Sequence, residues 1–233
     1  MEQVNKRPTL ILFDVYETLL DMSEMERRVN HLLDSKRGYH LWLELFMQYC
    51  FVDNCTIQFN SFNSIAQATL QMSAHSLGKN ISEHSADDVL RLLHHLPLHN
   101  DVQKGLSMLN NEGYRIAALT NAPEKTVTHR MESTGLISYF EKVLSAEHVK
   151  KYKPSIEVYA WAAKKLETEP GNILLVSSNG WDIAGGANAG MQTCFVKQDR
   201  TMLYPLAPHP DFVCKSIVDL ATQLSKEKTV LDN

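Results

Sequence analysis

Several short apolar segments of this sequence end in small polar or charged residues, and this pattern constrains the fold more than any other feature. The apolar segments 9–13, 114–119 and 172–176 lead respectively into Asp14, into residues 120–121 and into residues 177–179. Continuous short apolar runs are typical of strands that are buried on both faces of a parallel sheet. Ligands of such sheets bind at the carboxyl ends of the strands. The pattern therefore predicts a parallel sheet with a polar site along one edge.

Helical patterns separate these strands. Two further strands are expected at residues 142–145 and 193–196, and helices at residues 124–132 and 154–166. Pro154 would lie in the first turn of the second helix, where proline is favoured. The alternation of strand and helix predicts an α/β fold with a doubly wound, Rossmann-like parallel sheet.

Residues 21–96 differ from the rest of the chain because they contain no convincing strand pattern. Apolar residues recur at helical spacing over residues 41–49, and residues 85–88 resemble a capping box at the start of another helix. The segment is much longer than a crossover between two parallel strands requires. We therefore predict an α/β core made of residues 1–20 and 97–233, with residues 21–96 inserted as an all-α helical cap.

Composition and charge exclude several classes of protein. Lys and Arg number 23 and Asp and Glu number 27, which gives a net charge of −4 without a basic cluster. A nucleic-acid-binding protein usually has such a cluster. The sequence has neither the apolar run of about 18 residues that a membrane span needs nor the apolar core of a signal peptide. The 4 cysteines form no Cys-x-x-Cys pair, so we expect buried thiols. These features predict a cytoplasmic protein that binds neither nucleic acid nor membrane.

The carboxylate of Asp14 is the first candidate for chemistry. At the end of a strand it can serve as nucleophile, base or metal ligand, or it can simply cap a loop. Lys153 stands out among its neighbouring lysines because Pro154 restricts its loop, and it could pair with Asp14 and keep it ionised. Asp182 could orient Lys153, activate water or cap a helix. Tyr159 lies on the helix after Lys153, where a role in the core is at least as favoured.

Two other features concern anion binding. Thr120 and Asn121 supply a hydroxyl and an amide that suit a small anion, although the same residues can cap the helix that follows. The glycine-rich run 184–190 lacks the Gly-Lys-Ser/Thr ending of a phosphate loop. We interpret this run as close helix packing.

Taken in order, these patches resemble the motifs of the haloacid dehalogenase superfamily. The motifs are Phe-Asp-x-x-x-Thr-Leu at 13–19, Thr-Asn at 120–121, Lys-Pro at 153–154 and Ser-Ser-Asn-x-Trp-Asp at 177–182. Phosphatases of the superfamily carry carboxylates at the positions of Tyr16 and Ser178. Both replacements resemble the L-2-haloacid dehalogenase branch, and the resemblance implies an enzyme that needs no metal or other cofactor.

The resemblance also implies a mechanism. Asp14 would attack C2 of a short 2-haloacid, displace the halide with inversion and form an ester, which water near Asn179 and Asp182 would cleave. The implied catalytic residues are Asp14, Thr18, Lys153, Tyr159, Ser177, Asn179 and Asp182. Thr120 and the backbone amides of Val15 and Tyr16 would hold the substrate carboxylate. The remaining implied substrate-binding residues are Tyr16, Leu43, Met47, Phe62, Asn121 and Trp181.

One position departs from the branch. The dehalogenases carry an arginine in the first cap helix that receives the leaving halide. When this sequence is matched to the family pattern without gaps, Leu43 occupies the position of that arginine. Loss of a cation from a dry site removes charge stabilisation of several kcal/mol. Asn121 remains as a weak halide partner. The resemblance further implies a homodimer with cap helices at its interface.

Two alternative functions remain open on the sequence. The first is a Mg-dependent phosphatase of small metabolites, in which Glu17 or Glu147 would have to compensate for the missing carboxylates. The second is a binding protein without activity on a hydrolase scaffold, which only Leu43 supports. The presence of Asp14, Lys153 and Asp182 together favours a hydrolase.

Overall fold

The computed structural model of the protein describes residues 7–198 and 202–231. Its strands are β1 (Leu10–Phe13), β2 (Arg115–Thr120), β3 (Lys142–Ser145), β4 (Ile173–Ser177), β5 (Gln192–Val196) and β6 (Phe212–Cys214). They form one 6-stranded sheet in the order β3-β2-β1-β4-β5-β6, and every neighbouring pair is parallel. The predicted doubly wound parallel sheet is confirmed.

Helices connect these strands on both sides of the sheet. They are α1 (Ser23–Leu32), α2 (Gly38–Thr56), α3 (Phe62–Ser76), α4 (Glu83–Leu90), α5 (Val102–Asn111), α6 (Glu124–Ser133), α7 (Ile156–Lys165), α8 (Gly180–Asn188) and α9 (Ile217–Leu231). Single turns of 3-10 helix lie at Arg91–His94, Leu136–Tyr139, Ala146–Val149 and Pro170–Asn172. In the part of the chain described here, no helix is both long and apolar enough to cross a membrane.

Strand β1 lies at the point where the strand order reverses. Its last residue, Phe13, is opposite Ala118 of β2 on one side and Val176 of β4 on the other. This register places Asp14, just beyond β1, at the level of Ser177 at the end of β4. Loops that leave in opposite directions open a crevice at such a switch point, and ligands of doubly wound sheets bind there.

The helices α1 to α4 follow β1 and pack on one another. The side chain of Trp42 on α2 is buried, and its indole N–H donates to the carbonyl of Ala66 on α3 at 3.0 Å. Trp42 also stacks on Phe46, and Phe46 meets Phe62 edge to face. An aromatic cluster therefore holds α2 and α3 together. The division into a core of residues 1–20 and 97–233 and a cap stays a prediction.

The structure corrects several element boundaries. Strand β6 was not predicted, because its three residues are too short for a recognisable apolar run. Helix α4 begins earlier than predicted, since the Ser82 hydroxyl caps it by accepting a hydrogen bond from the Ser85 N–H at 3.1 Å. Helix α7 begins at Ile156, so Pro154 precedes the helix instead of lying in its first turn.

The glycine-rich run forms α8 and packs closely against its neighbours. A Cβ on Gly185 would lie 2.5 Å from the Tyr159 hydroxyl, and one on Gly186 would lie 2.4 Å from Cδ2 of Leu175. The interpretation of this run as close helix packing is confirmed.

The cysteines only partly follow the expectation. Cys50, Cys194 and Cys214 are buried, whereas Cys55 is exposed near the end of α2. The expectation that all are buried is therefore wrong for Cys55, which lies on the solvent-exposed face of α2.

Candidate active site

Asp14 follows β1, and its side chain is held by four donors. Oδ2 accepts hydrogen bonds from the hydroxyls of Thr18 at 3.0 Å and Ser177 at 3.2 Å, and from the side-chain amide of Asn179 at 3.2 Å. Oδ1 accepts from Nζ of Lys153 at 2.8 Å. The donors come from the turn after β1, from the end of β4 and the loop that follows it, and from the loop before α7. Together they orient one carboxylate that is only 5% exposed.

Lys153 is buried, and its ammonium is surrounded by oxygen atoms. Nζ donates to Oδ1 of Asp14 at 2.8 Å, to Oδ2 of Asp182 at 2.8 Å and to the carbonyl of Leu119 at 3.2 Å. Burial by itself lowers the pKa of Lys153, but Asp14 and Asp182 outweigh burial and keep this pKa above its ordinary value. The ammonium therefore stays charged between two carboxylates.

Asp182 lies beneath this pair and is completely buried. Its Oδ2 accepts from Lys153 at 2.8 Å, and its Oδ1 accepts from the Tyr159 hydroxyl at 2.6 Å. Burial raises the pKa of Asp182, and Lys153 opposes this rise. Burial followed by the charge of Asp182 raises the pKa of Tyr159, so its O–H remains a donor. Asp182 thus orients Lys153 from the side opposite Asp14.

A small cavity of about 60 Å³ opens above Asp14 between the sheet and α2. Its lining is mainly apolar and includes most of the expected substrate-binding side chains, namely Tyr16, Leu43, Met47, Phe62, Thr120, Asn121 and Trp181. Met22, Trp42, Phe46, Leu93 and Ala122 complete its walls, and Asp14, Glu17, Lys153 and Asn179 supply its other polar groups. A space of this size suits a molecule of a few heavy atoms beside the Asp14 carboxylate.

Tyr16 closes one side of this cavity. Its ring stacks on Phe62 with centroids 6.2 Å apart, and its hydroxyl donates to the carbonyl of Leu93 at 3.2 Å. On another side, the ammonium of Lys153 lies 5.7 Å from the ring centroid of Trp181. These aromatic rings form apolar walls beside Asp14.

The expected anion-binding residues occupy different positions. Thr120 and Asn121 line the cavity, and the Thr120 hydroxyl oxygen accepts from the N–H of Ala122 at 3.1 Å. The Asn121 side chain hydrogen-bonds the backbone of Lys153, accepting from its N–H at 2.8 Å and donating to its carbonyl at 3.4 Å. The side chain of Val15 faces away from the cavity. Asn121 therefore holds the Lys153 loop in place as well as lining the cavity.

Glu17 also lines the cavity, although the sequence suggested it only as a compensating carboxylate in the phosphatase alternative. Its φ of 66° is left-handed, which is uncommon for a residue other than glycine. Its Oε1 accepts from the Tyr39 hydroxyl at 3.4 Å. Burial and then the Asp14 carboxylate raise the pKa of Glu17 to about 7, while hydrogen bonds from Asn179 and Tyr39 partly oppose the rise. The available signal was a carboxylate three residues after Asp14, within the turn that leaves β1.

The expectation that no metal is bound stays a prediction, and the donors above β1 bear on it. The cation between Asp14 and Asp182 is the ammonium of Lys153, and Tyr16 and Ser178 supply no carboxylate. Over residues 7–198 and 202–231, no group of three His, Cys, Asp or Glu side chains could hold a metal. Hard cations such as Mg²⁺ bind several oxygen ligands, usually with carboxylates among them.

Comparison with known proteins identifies the lineage of the chain. The family model of haloacid dehalogenase-like hydrolases matches residues 11–196. The (S)-2-haloacid dehalogenase 2 of Pseudomonas sp. (strain CBS-3) is 24% identical over 218 residues, which cover 92% of this chain and 95% of that protein. The (S)-2-haloacid dehalogenase 4A of Burkholderia cepacia is 26% identical over 221 residues, covering 94% and 95%.

Solved structures agree on the fold. The L-2-haloacid dehalogenase of Xanthobacter autotrophicus with chloropropionic acid covalently bound superposes with a TM-score of 0.84 at 21% identity, covering 94% of this chain and 98% of that one. The L-2-haloacid dehalogenase RSc1362 superposes with a TM-score of 0.88 at 22% identity, covering 94% and 100%.

Proposed function

The chain belongs to the haloacid dehalogenase-like hydrolase family, and from this membership we propose that it hydrolyses a short 2-haloacid with Asp14 as the nucleophile. The observation that carries the proposal is the buried carboxylate of Asp14, held by Lys153 and three further donors at the floor of a small apolar cavity. Curated relatives that are named (S)-2-haloacid dehalogenases support the substrate class.

In the first step, an oxygen of Asp14 attacks C2 of the haloacid from the side opposite the halogen. The C–O bond forms as the C–X bond breaks, and the halide leaves with the bonding electron pair. The product is an ester of Asp14, with inverted configuration at C2. Thr120 and the backbone N–H groups of Val15 and Tyr16 bind the substrate carboxylate, and Tyr16, Met47 and Phe62 exclude bulk water.

In the second step, water attacks the carbonyl carbon of the Asp14 ester, and the bond from this carbon to the ester oxygen breaks. One proton of the water passes to the leaving oxygen to give a 2-hydroxy acid, and the other is released to solvent as Asp14 returns to a carboxylate. Asn179 is the better candidate to position this water, because it lines the cavity and touches Asp14. Asp182 is completely buried, and its two carboxylate oxygens already bind Lys153 and Tyr159. We therefore assign Asp182, with Tyr159, to positioning Lys153.

We propose that no metal or other cofactor takes part. The charge that a divalent cation would supply near Asp14 comes instead from Lys153, which contacts both Asp14 and Asp182. Assay in the presence of a chelator tests this point, and activity that disappears with EDTA and returns with Mg²⁺ would contradict it.

The central test is halide release from L-2-chloropropionate by wild type and Asp14→Asn. Wild type is expected to release chloride, and the variant to remain at background. Multiple turnovers in H₂¹⁸O should also place ¹⁸O in the peptide that contains Asp14, since water attacks the carbonyl of that residue. Equal release by both proteins, with an unlabelled Asp14 peptide, would count against the proposal.

We also propose that the protein is a cytoplasmic homodimer. The proposal follows from the resemblance to the dehalogenase branch, and Ile57, which follows α2 and is 85% exposed, is an accessible position at which to test it. Light scattering of wild type and Ile57→Asp would show whether this residue supports association.

A further inference from the structure

A leaving halide meets no unpaired cation in this cavity. Among the cavity-lining residues that the structure describes, Lys153 is the sole basic side chain, and its ammonium is held between Asp14 and Asp182. Leu43 contributes only apolar surface to the lining. An anion that forms in a dry site without a hydrogen-bond donor or cation is poorly stabilised. The weak partner Asn121 also lines the cavity, but its side-chain amide donates to the carbonyl of Lys153 at 3.4 Å. The proposed reaction therefore needs a further donor for the halide.

Glu17 is placed to be that group. Its side chain lines the cavity and is hydrogen-bonded by Tyr39, which lies on α2 one turn before Leu43. Residues four apart share a helix face, so this contact directs the Glu17 carboxyl toward the face of α2 that carries Leu43. Glu17 and Leu43 both line this cavity, so the position that has no cation and the carboxyl face the same space.

The backbone at Glu17 is held in the conformation that gives this direction. Its φ is 66°, and its carbonyl accepts a hydrogen bond from Gln198 and lies 3.3 Å from Nε2 of His99. A left-handed conformation of a residue other than glycine persists only where surrounding contacts enforce it, and such positions cluster at functional sites.

We propose that Glu17 is a further catalytic residue, whose carboxyl O–H donates a hydrogen bond to the departing halide in place of a cation. The inference rests on the proposed function. While Asp14 forms its bond to C2, the halide takes the electron pair of the C–X bond and accepts this hydrogen bond. The proton stays on Glu17, and the halide leaves as a free anion.

The surroundings of Glu17 favour the neutral acid that this role requires. The titratable and charged groups that face it are Asp14 after β1, Tyr39 on α2, His99 before α5 and Lys153 before α7. Burial and the Asp14 carboxylate raise the pKa of Glu17 to about 7. The neutral acid also does not repel the carboxylate of an incoming 2-haloacid, whereas the ionised form would.

The experiment compares two substitutions at this position. Glu17→Gln keeps a hydrogen-bond donor that does not titrate, and Glu17→Leu removes the donor at similar volume. We expect kcat for chloride release by wild type to fall above about pH 7 and that of Glu17→Gln to stay level from about pH 5 to about pH 9. Glu17→Leu should lose about 100-fold in kcat relative to wild type below about pH 7, where the wild-type carboxyl is protonated, and the difference should shrink at higher pH. Glu44→Gln, at an exposed site on α2, should behave as wild type.

A binding measurement tests the same role without turnover. Bromide can be titrated against wild type and Glu17→Gln, with quenching of the cavity residues Trp42 and Trp181 as the signal. Wild type should bind bromide more weakly as the pH rises through about 7, and Glu17→Gln should show no such change.

The outcomes separate the two proposals. In one outcome, wild type exceeds Asp14→Asn in halide release, which supports the proposed function. If Glu17→Gln then still loses activity at alkaline pH, or Glu17→Leu keeps the wild-type kcat, the role of Glu17 is overturned while the proposed function stands. If wild type and Asp14→Asn release halide equally, the proposed function fails. Bromide binding then still decides whether Glu17 donates to a halide, and pH-independent binding by wild type would overturn that role.

Discussion

The ammonium of Lys153 lies 2.8 Å from Oδ1 of Asp14, although 139 residues separate the two in the chain. Both groups are buried, and Asp182 binds the same ammonium from the other side. Removal of one partner from such a buried group of charges leaves the others unsatisfied, which costs more than loss of an exposed ion pair. The geometry of the nucleophile and the stability of the fold therefore depend on the same contact.

Lys153→Met should be both inactive and less stable. It leaves Asp14 and Asp182 buried without their cation, and we expect a loss of about 3–5 kcal/mol in the free energy of unfolding. The folded pKa of Lys153 is raised above its ordinary value. The stabilisation by Lys153 is therefore fully present at pH values below the ordinary lysine pKa and is lost only as the pH rises through the folded pKa. Urea denaturation should thus show the same deficit at about pH 7 and about pH 9.

Lys164→Met is the matched control for this change, since Lys164 is an exposed lysine on α7. It should leave stability and halide release unchanged. A Lys153→Met protein as stable as this control would contradict the ion-pair interpretation.

Glu17→Gln should change how stability depends on pH. The folded pKa of Glu17, about 7, lies above its ordinary value of 4.5, so the folded state binds this proton more tightly than the unfolded chain. Wild type therefore loses stability as the pH rises from about 4.5 to about 7, by up to about 3 kcal/mol in all. The Glu17→Gln variant has no titrating group at this position. The Tm of the variant minus the Tm of wild type should therefore be larger at about pH 8 than at about pH 4.5. A Tm difference that is the same at both pH values would rule out the raised pKa.

Gly185→Ala should damage the support of Lys153 from a distance. The new Cβ would lie 2.5 Å from the Tyr159 hydroxyl and 2.7 Å from Cβ of Pro154. Alanine favours a helix more than glycine does, so a loss of stability can be attributed to the steric clash. We expect this clash to lower the free energy of unfolding by about 1–3 kcal/mol. Displacement of Tyr159 from Asp182 should also lower kcat. Gly171→Ala has its nearest contact at 3.9 Å and serves as the control, with both stability and kcat expected to be unaffected.

Leu43→Arg should restore activity at high pH. Above about pH 8 the ionised Glu17 of wild type repels both substrate and halide, and an arginine on the cavity side of α2 would neutralise that charge. We expect chloride release at this pH to rise about 10-fold over wild type. Gln48→Arg adds the same charge at an exposed site on the same helix and should have no effect. Equal rates for the two variants would show that the cavity does not need a cation.

Much of the fold could be predicted because its signals are local. The apolar runs that became β1, β2 and β4 are recognisable from adjacent residues alone, and parallel pairing then brings their carboxyl ends together. Strand β6 escaped prediction because only three residues pair, and their burial alternates. The start of α4 was misplaced because serines at 82 and 85 both fit a cap, and only the hydrogen bond to Ser82 distinguishes them.

The sequence by itself determined the order of strands and helices and the set of polar residues that follow the strands, because each depends on neighbours in the chain. Only the tertiary structure decided what those residues do to one another. It enclosed Lys153 between Asp14 and Asp182, and it turned Glu17 into the cavity. The protonation state of a side chain and the partners that its polar atoms bind depend on its burial and on its distance from other groups. Burial and these distances arise from contacts between segments that are far apart in the chain.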